Sequence, residues 1–98
     1  MNLENQLIDI YIPAYNCQNQ ITKVLNKLHP FKDLFNNIFV IDNCSSDQTV
    51  NYATEQQKNF VNKLTVSINP QNLGFGGTHK VIFDNVLKKN TRYVLVLH

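Results

Sequence analysis

The chain has 98 residues, enough for one domain with one modest core, and a formal net charge of +2 that is too weak to mark a nucleic-acid or anionic-membrane surface. Its hydrophobic content of 43% is ordinary for a globular protein, its charged content of 16% is low, and no apolar run approaches bilayer-spanning length. Cys17 and Cys44 form no CxxC pair, and His29, His79 and His98 are scattered, so ligand spacing argues against a zinc site.

The first residues, Met-Asn-Leu-Glu-Asn-Gln, lack the basic-then-apolar pattern of a signal peptide. With two cysteines and no disulfide framework, this predicts free thiols and a cytoplasmic location. Leu7 to Ile12 reads as a strand, and Pro13 is expected to stop it because proline cannot donate to a ladder. Ile21, Val24, Leu25 and Leu28 then recur at helical spacing, and His29-Pro30 ends that helix. Ile38-Phe39-Val40-Ile41 is a continuous apolar run, the mark of a strand buried on both faces. Ser45 with Gln48 fits a capping box opening a second helix, which carries Val50, Ala53 and Phe60 on one face. Leu64 to Ile68 alternates as a third strand. Asn69 to Gly77 reads as a turn-rich loop holding all three glycines. His79, Ile82, Phe83, Val86 and Leu87 make a third amphipathic face, and Tyr93 to Leu97 a fourth buried-type strand.

This alternation predicts an α/β fold: a Rossmann-like parallel β-sheet of four strands, β-α-β-α-β-α-β, with helices on both faces. The chain ends at His98, directly on its last apolar strand. That ending predicts residues 1–98 to be the front piece of a longer protein, prone to self-association through the uncovered strand.

In open α/β sheets, ligands bind beyond the carboxyl ends of the strands. Those ends carry Pro13-Ala14-Tyr15-Asn16, Asp42-Asn43-Cys44-Ser45 and Asn69 to Gly77, rich in small polar or glycine residues. A dinucleotide fingerprint is excluded by position, because its glycines belong in the first strand–helix turn, where there are none. Gly74-Phe75-Gly76-Gly77 arrives after the third strand and is neither GxGxxG nor a Walker loop.

Taken together and in order, IYIPAYN, VIDNCSSDQT, NPQNLGFGGTHK and YVLVLH resemble the family 2 glycosyltransferases of GT-A fold, from about Leu7 to His98. The resemblance implies a transferase that moves a sugar from a nucleotide-diphosphate sugar to an acceptor with inversion, in the building of cell-surface polysaccharide. It implies that residues 1–98 are the nucleotide-sugar-binding portion, inactive alone. The divalent metal, Mg²⁺ or Mn²⁺, would be held by an acidic motif just after His98, with no catalytic residue or metal ligand before it. The donor is the expected partner; the acceptor (glycan, lipid phosphate or protein) is unnamed, and no nucleic acid or membrane segment is expected.

Pro13, Ala14, Tyr15 and Asn16 would lie against the base and ribose, with Tyr15 either stacking on the base or packing under its loop. Asp42 would hydrogen-bond the nucleoside, although Asp at such a position also caps helices. Asn43 replaces the family's commoner Asp and can donate as well as accept. Asp47, in the first helical turn, reads as structural. Asn72, Gly74, Gly76 and Gly77 would run beside the sugar-nucleotide, where glycines let backbone N–H groups approach an anion. Lys80 would reach the diphosphate, yet the family often has Asn there followed by a Gly absent here. Cys17 and Cys44 are given no catalytic role. A sugar-nucleotide pyrophosphorylase would need a Gly-rich basic loop after the first strand, and a receiver domain an acidic cluster there. A non-catalytic binding module stays compatible with these residues.

Overall fold

Ile10, Ile12, Ile38 and Val40 alternate with Tyr11, Phe39 and Ile41 along two strands, so a sheet built from them carries an apolar surface on each side. The computed structural model describes residues 8–88 and 93–97, with backbone only for residues 75, 79, 83, 85–88 and 93–96. Strands β1 (Ile8–Ala14), β2 (Asn37–Asp42), β3 (Leu64–Ile68) and β4 (Tyr93–Val96) form one parallel sheet in the order β3-β2-β1-β4.

Helices α1 (Gln18–Leu28) and α2 (Thr49–Glu55) cover one face. Ile21 and Leu25 of α1 and Ala53 of α2 bury against Ile10, Ile12, Ile38, Val40 and Leu64, joined by Phe60 at the end of a short 3₁₀ segment. Each fully buried aliphatic side chain here contributes about 1.5–3 kcal/mol. Leu25→Ala would cost about 2–5 kcal/mol, since its cavity could collapse only partly. Helix α3 (Gly74–Lys88) covers the opposite face, where Ile82 packs on Tyr11 and Ile41. Tyr11 and Phe39, register partners in β1 and β2, stack there with ring centroids 4.8 Å apart. The first two crossovers thus use one face and the third uses the other. The strand order turns back between β1 and β4, which is where such folds open a crevice.

Four expectations need correction. Pro13 does not stop β1, which continues to Ala14 in register with Asp42. The ladder explains why. The Ala14 carbonyl accepts Asn43 N–H on the β2 side, while the Tyr11 carbonyl accepts Leu97 N–H on the β4 side. Pro13 shares the parity of Tyr11, so its missing N–H falls on the β4 side, past the last registered pair, Tyr11 with Val96. The glycines do not sit in a loop; Gly74, Gly76 and Gly77 form the first turn of α3. The Ser45–Gln48 capping box is not made: α2 begins at Thr49, with no side-chain bond from its N-cap Gln48. Within that helix Thr49 and Ala53 are buried and Val50 is only half-buried, while Phe60, expected on the same helix, lies beyond its end at Glu55. The predicted face of α3 is described only at Ile82, which is buried; the side chains of His79, Phe83, Val86 and Leu87 lie outside the described residues.

Candidate functional site

The loops after β1 and β2 are tied together before any pocket is considered. Asn16 takes a positive φ of 47°, a conformation Asn tolerates better than most residues. Its backbone N–H donates to Ser45 Oγ at 2.8 Å, and its Oδ1 accepts Ser46 N–H at 2.9 Å. Ser45 in turn donates twice to Asp42, from its N–H at 2.8 Å and from its hydroxyl at 2.6 Å. Asp42 is fully buried, and its carboxylate closes the 42–45 turn in which Cys44 takes φ 64°.

The starts of α1 and α2 cap each other across the same seam. Asp47 accepts Gln18 N–H at 3.2 Å, while the Gln18 side chain accepts Gln48 N–H at 3.0 Å. Asp47 Oδ1 also accepts the N–H and hydroxyl of Thr49. Burial opposes the Asp47 charge, but the bonds from Thr49 and Gln18 outweigh it and hold the carboxyl below its ordinary value. Asp47 is therefore structural, but it precedes the helix, which begins at Thr49, rather than standing in its first turn as its place in the sequence suggested. Burial pushes the Cys17 thiol up despite its bonding with Thr49, which leaves it protonated and a poor nucleophile. Both cysteines are free.

A second polar cluster joins β2, β3 and α3. Asn43 Oδ1 accepts Asn69 Nδ2 at 3.1 Å and Leu73 N–H at 2.8 Å. Asn43 Nδ2 donates to Asn72 Oδ1 at 2.8 Å, and that oxygen also accepts Gly74 N–H at 2.7 Å. Asn69 Nδ2 further donates to Thr78 Oγ1 at 3.3 Å. Each of the two amide oxygens thus has both lone pairs engaged, and one amide hydrogen of Asn43 and the two of Asn72 are what remain for a ligand.

Above this cluster lies a cavity of about 390 Å³ lined by Pro13, Ala14, Tyr15, Asn43, Asn72, Gly74 and Thr78. It opens at the carboxyl ends of β1 and β2, beneath the start of α3. Six of the eleven residues singled out from sequence line it, and Asn16, Asp42, Gly76, Gly77 and Lys80 do not. Asn16 and Asp42 build its supporting turn, Gly76 and Lys80 are exposed, and Gly77 lies against Leu73. Sequence reading missed Thr78 and Asn69. Thr78 stands four residues before the buried Ile82, so helical periodicity already placed it on the inward face. No comparable signal marked Asn69, whose burial depends on Asn43 arriving from another strand.

The sequence pattern of the family described as "Glycosyl transferase family 2" matches residues 9–98. The chain belongs to that family. Among solved structures, S. aureus TarS is similar at 26% identity and a TM-score of 0.72, covering 92% of this chain and 16% of TarS. A mannosyltransferase from Pyrobaculum calidifontis, PcManGT, solved in complex with GDP-Man and Mn²⁺, is similar in fold at 17% identity and a TM-score of 0.61. That match covers 80% of this chain and 24% of PcManGT, so this family 2 chain spans under a quarter of either relative. A search of curated proteins finds no match.

Among the described residues of this family 2 chain, no group of three His, Cys, Asp or Glu side chains could hold a metal ion. Asp42, next in sequence to the cavity-lining Asn43, has its carboxylate bonded to Ser45. These residues do not fit a divalent cation. Among the described residues no helix is long and apolar enough to cross a membrane.

Proposed function

We propose that residues 1–98 form the nucleotide-sugar-binding portion of a glycosyltransferase that moves a sugar from a nucleotide-diphosphate donor to an acceptor hydroxyl or phosphate, with inversion. The observation that carries this reading is the cavity at the carboxyl ends of β1 and β2, lined by Tyr15, Asn43, Asn72 and Gly74 in a chain of this family. Tyr15, half-exposed at the rim, offers a face for a base. The free amide hydrogens of Asn43 and Asn72 suit carbonyl or hydroxyl oxygens of a nucleoside. The first turn of α3, with three glycines, presents backbone N–H groups and the positive end of a helix dipole to a diphosphate. Asp42 would act chiefly by holding the Asn16–Ser45 turn, and Lys80 by adding positive charge near that helix start.

A general base and the ligands of a Mg²⁺ or Mn²⁺ ion would lie beyond His98, so the chain alone would bind without transferring. The neighbour that holds GDP-Man and Mn²⁺ supports a metal-assisted donor in the full enzyme. The reading extends to a cytoplasmic enzyme of cell-surface polysaccharide assembly, and to self-association through β4 in the isolated chain. The test is titration of the chain with UDP, GDP, CDP, ADP and dTDP, followed by ligand-observed NMR. Saturable, weak binding of at least one is expected. No saturable binding of any would overturn the pocket reading, and sugar transfer by the chain alone would overturn the placement of the catalytic groups.

A further inference from the structure

Asn43 occupies a position where amide and carboxylate are not interchangeable, and its hydrogen bonds say why. Backbone N–H groups can only donate. Leu73 N–H at 2.8 Å therefore identifies the atom it meets on Asn43 as the amide oxygen, and Gly74 N–H at 2.7 Å does the same for Asn72. With both oxygens identified, the contact of 2.8 Å between the two side chains has to be Asn43 Nδ2 donating to Asn72 Oδ1. Neither amide can flip without setting its own NH₂ against a backbone N–H.

The segment so held shapes the cavity. Leu73 and Gly74 are consecutive, Gly74 takes φ 71°, and α3 starts there. Leu73 Cβ sits 2.6 Å from where a Cβ on Gly77 would stand, so the backbone at residue 73 leaves room for no side chain at residue 77. Asn43 is 7% exposed, lines the cavity, and reaches β3 through Asn69 as well. One side chain thus couples the ends of β2 and β3 to the first turn of α3.

We propose that Asn43 is a positioning residue: its amide, donating to Asn72, fixes residues 72–74 over the cavity in the conformation that accepts the nucleotide. This rests on the pocket reading above. A carboxylate at 43 would keep the bonds from Asn69 and Leu73 but would face Asn72 Oδ1 oxygen to oxygen. A carboxylate at 72 would still accept from both Asn43 Nδ2 and Gly74 N–H. The two Asn→Asp changes are therefore unequal. A protonated carboxyl at 43 regains the lost donor, so the defect of Asn43→Asp reverses in acid.

The experiment compares wild type, Asn43→Asp and Asn72→Asp by amide hydrogen exchange at Leu73 and Gly74. The same proteins are then titrated with whichever of UDP, GDP, CDP, ADP or dTDP wild type binds most tightly. At neutral pH, Asn43→Asp should lose about tenfold or more of the Gly74 protection, the scale of one buried unsatisfied pair. Asn72→Asp should keep that protection. Nucleotide affinity of Asn43→Asp, relative to wild type at each pH, should fall similarly and recover as pH drops through the carboxyl range, about pH 4–5. Should Asn43→Asp fail to fold at neutral pH, circular dichroism should show its fold returning on acidification. Equal protection in both variants, or a defect of Asn43→Asp that ignores pH, overturns the proposal. If wild type binds no nucleotide, the pocket reading fails while the exchange data still judge whether Asn43 holds residues 72–74; loss there without pH recovery refutes it.

Discussion

The backbone N–H of Cys17 donates to Thr49 Oγ1 at 2.8 Å, joining residues 32 apart in sequence at the starts of α1 and α2. Thr49 is completely buried and donates its own hydroxyl hydrogen bond to Asp47. Thr49→Val keeps the volume but leaves the Cys17 N–H without its acceptor and Asp47 without its hydroxyl donor, the N–H groups of Gln18 and residue 49 staying in place. The expected cost is about 2 kcal/mol, read as a lower urea midpoint at unchanged m-value. An unchanged midpoint would show that the bond contributes nothing net.

Asp47 predicts an acid limb. Its carboxyl is held below the ordinary value by the bonds from Thr49 and Gln18, which outweigh burial. A group with a depressed folded-state pKa adds stability that is present above its unfolded value, 3.8, and is lost as pH falls through the folded value. Urea midpoints measured from neutral pH downward should therefore fall below about pH 4 in wild type. In Asp47→Asn the fall should be shallower. Parallel curves would remove Asp47 from the explanation.

Val61 is in the wrong conformation for its side chain. It takes φ 45° and Asn62 takes φ 66°, in a turn closed by Lys63 N–H donating to the Phe60 carbonyl at 3.0 Å. Two successive left-handed residues make a type I′ turn, which suits Gly and Asn and strains a β-branched side chain. Val61 is 71% exposed, so little packing is at stake. Val61→Gly should stabilise by about 1 kcal/mol, raising the melting temperature by about 4–8 °C. A lower melting temperature would mean the exposed isopropyl group packs on something.

Gly76 and Gly77 are neighbours with opposite tolerances. A Cβ at Gly76 meets nothing within 4 Å, whereas at Gly77 it would stand 2.6 Å from Leu73 Cβ. Gly76→Ala should stabilise α3 by about 0.5–1 kcal/mol through lower backbone entropy. Gly77→Ala should destabilise by about 1–3 kcal/mol through overpacking and should weaken nucleotide binding by displacing Leu73. Thermal melts of the two variants decide it; shifts of the same sign would contradict the contact.

Tyr15 lines the cavity while 52% exposed, so its ring is available to a ligand and contributes little to the core. Tyr15→Ala should weaken nucleotide affinity by about tenfold, the upper range for one aromatic contact. The melting temperature should move little. A large loss of stability with unchanged affinity would assign Tyr15 to packing instead.

Periodicity in the chain determined the element types and most of the residues that turn inward, the half-buried Val50 and the exposed Ile68 excepted. Continuous apolar runs such as Ile10–Ile12 and Ile38–Val40, and helical spacing such as Ile21 with Leu25, are local properties that burial then rewards directly. The order of the strand mouths likewise brought Pro13, Ala14, Tyr15, Asn43, Asn72 and Gly74 into one list, because a parallel sheet gathers its carboxyl ends on one edge. What the linear chain did not contain was the pairing of polar groups across elements. Ser45 with Gln48 has the spacing of a local cap, yet Ser45 turns to Asp42 and Asn16, and α1 and α2 cap each other through Asp47 and Gln18. Pro13 continues β1 because its missing donor faces past the end of β4, which depends on the strand order rather than on proline itself. A hydrogen bond is chosen by which partner is brought within about 3 Å, and only the folded chain decides who the neighbours are.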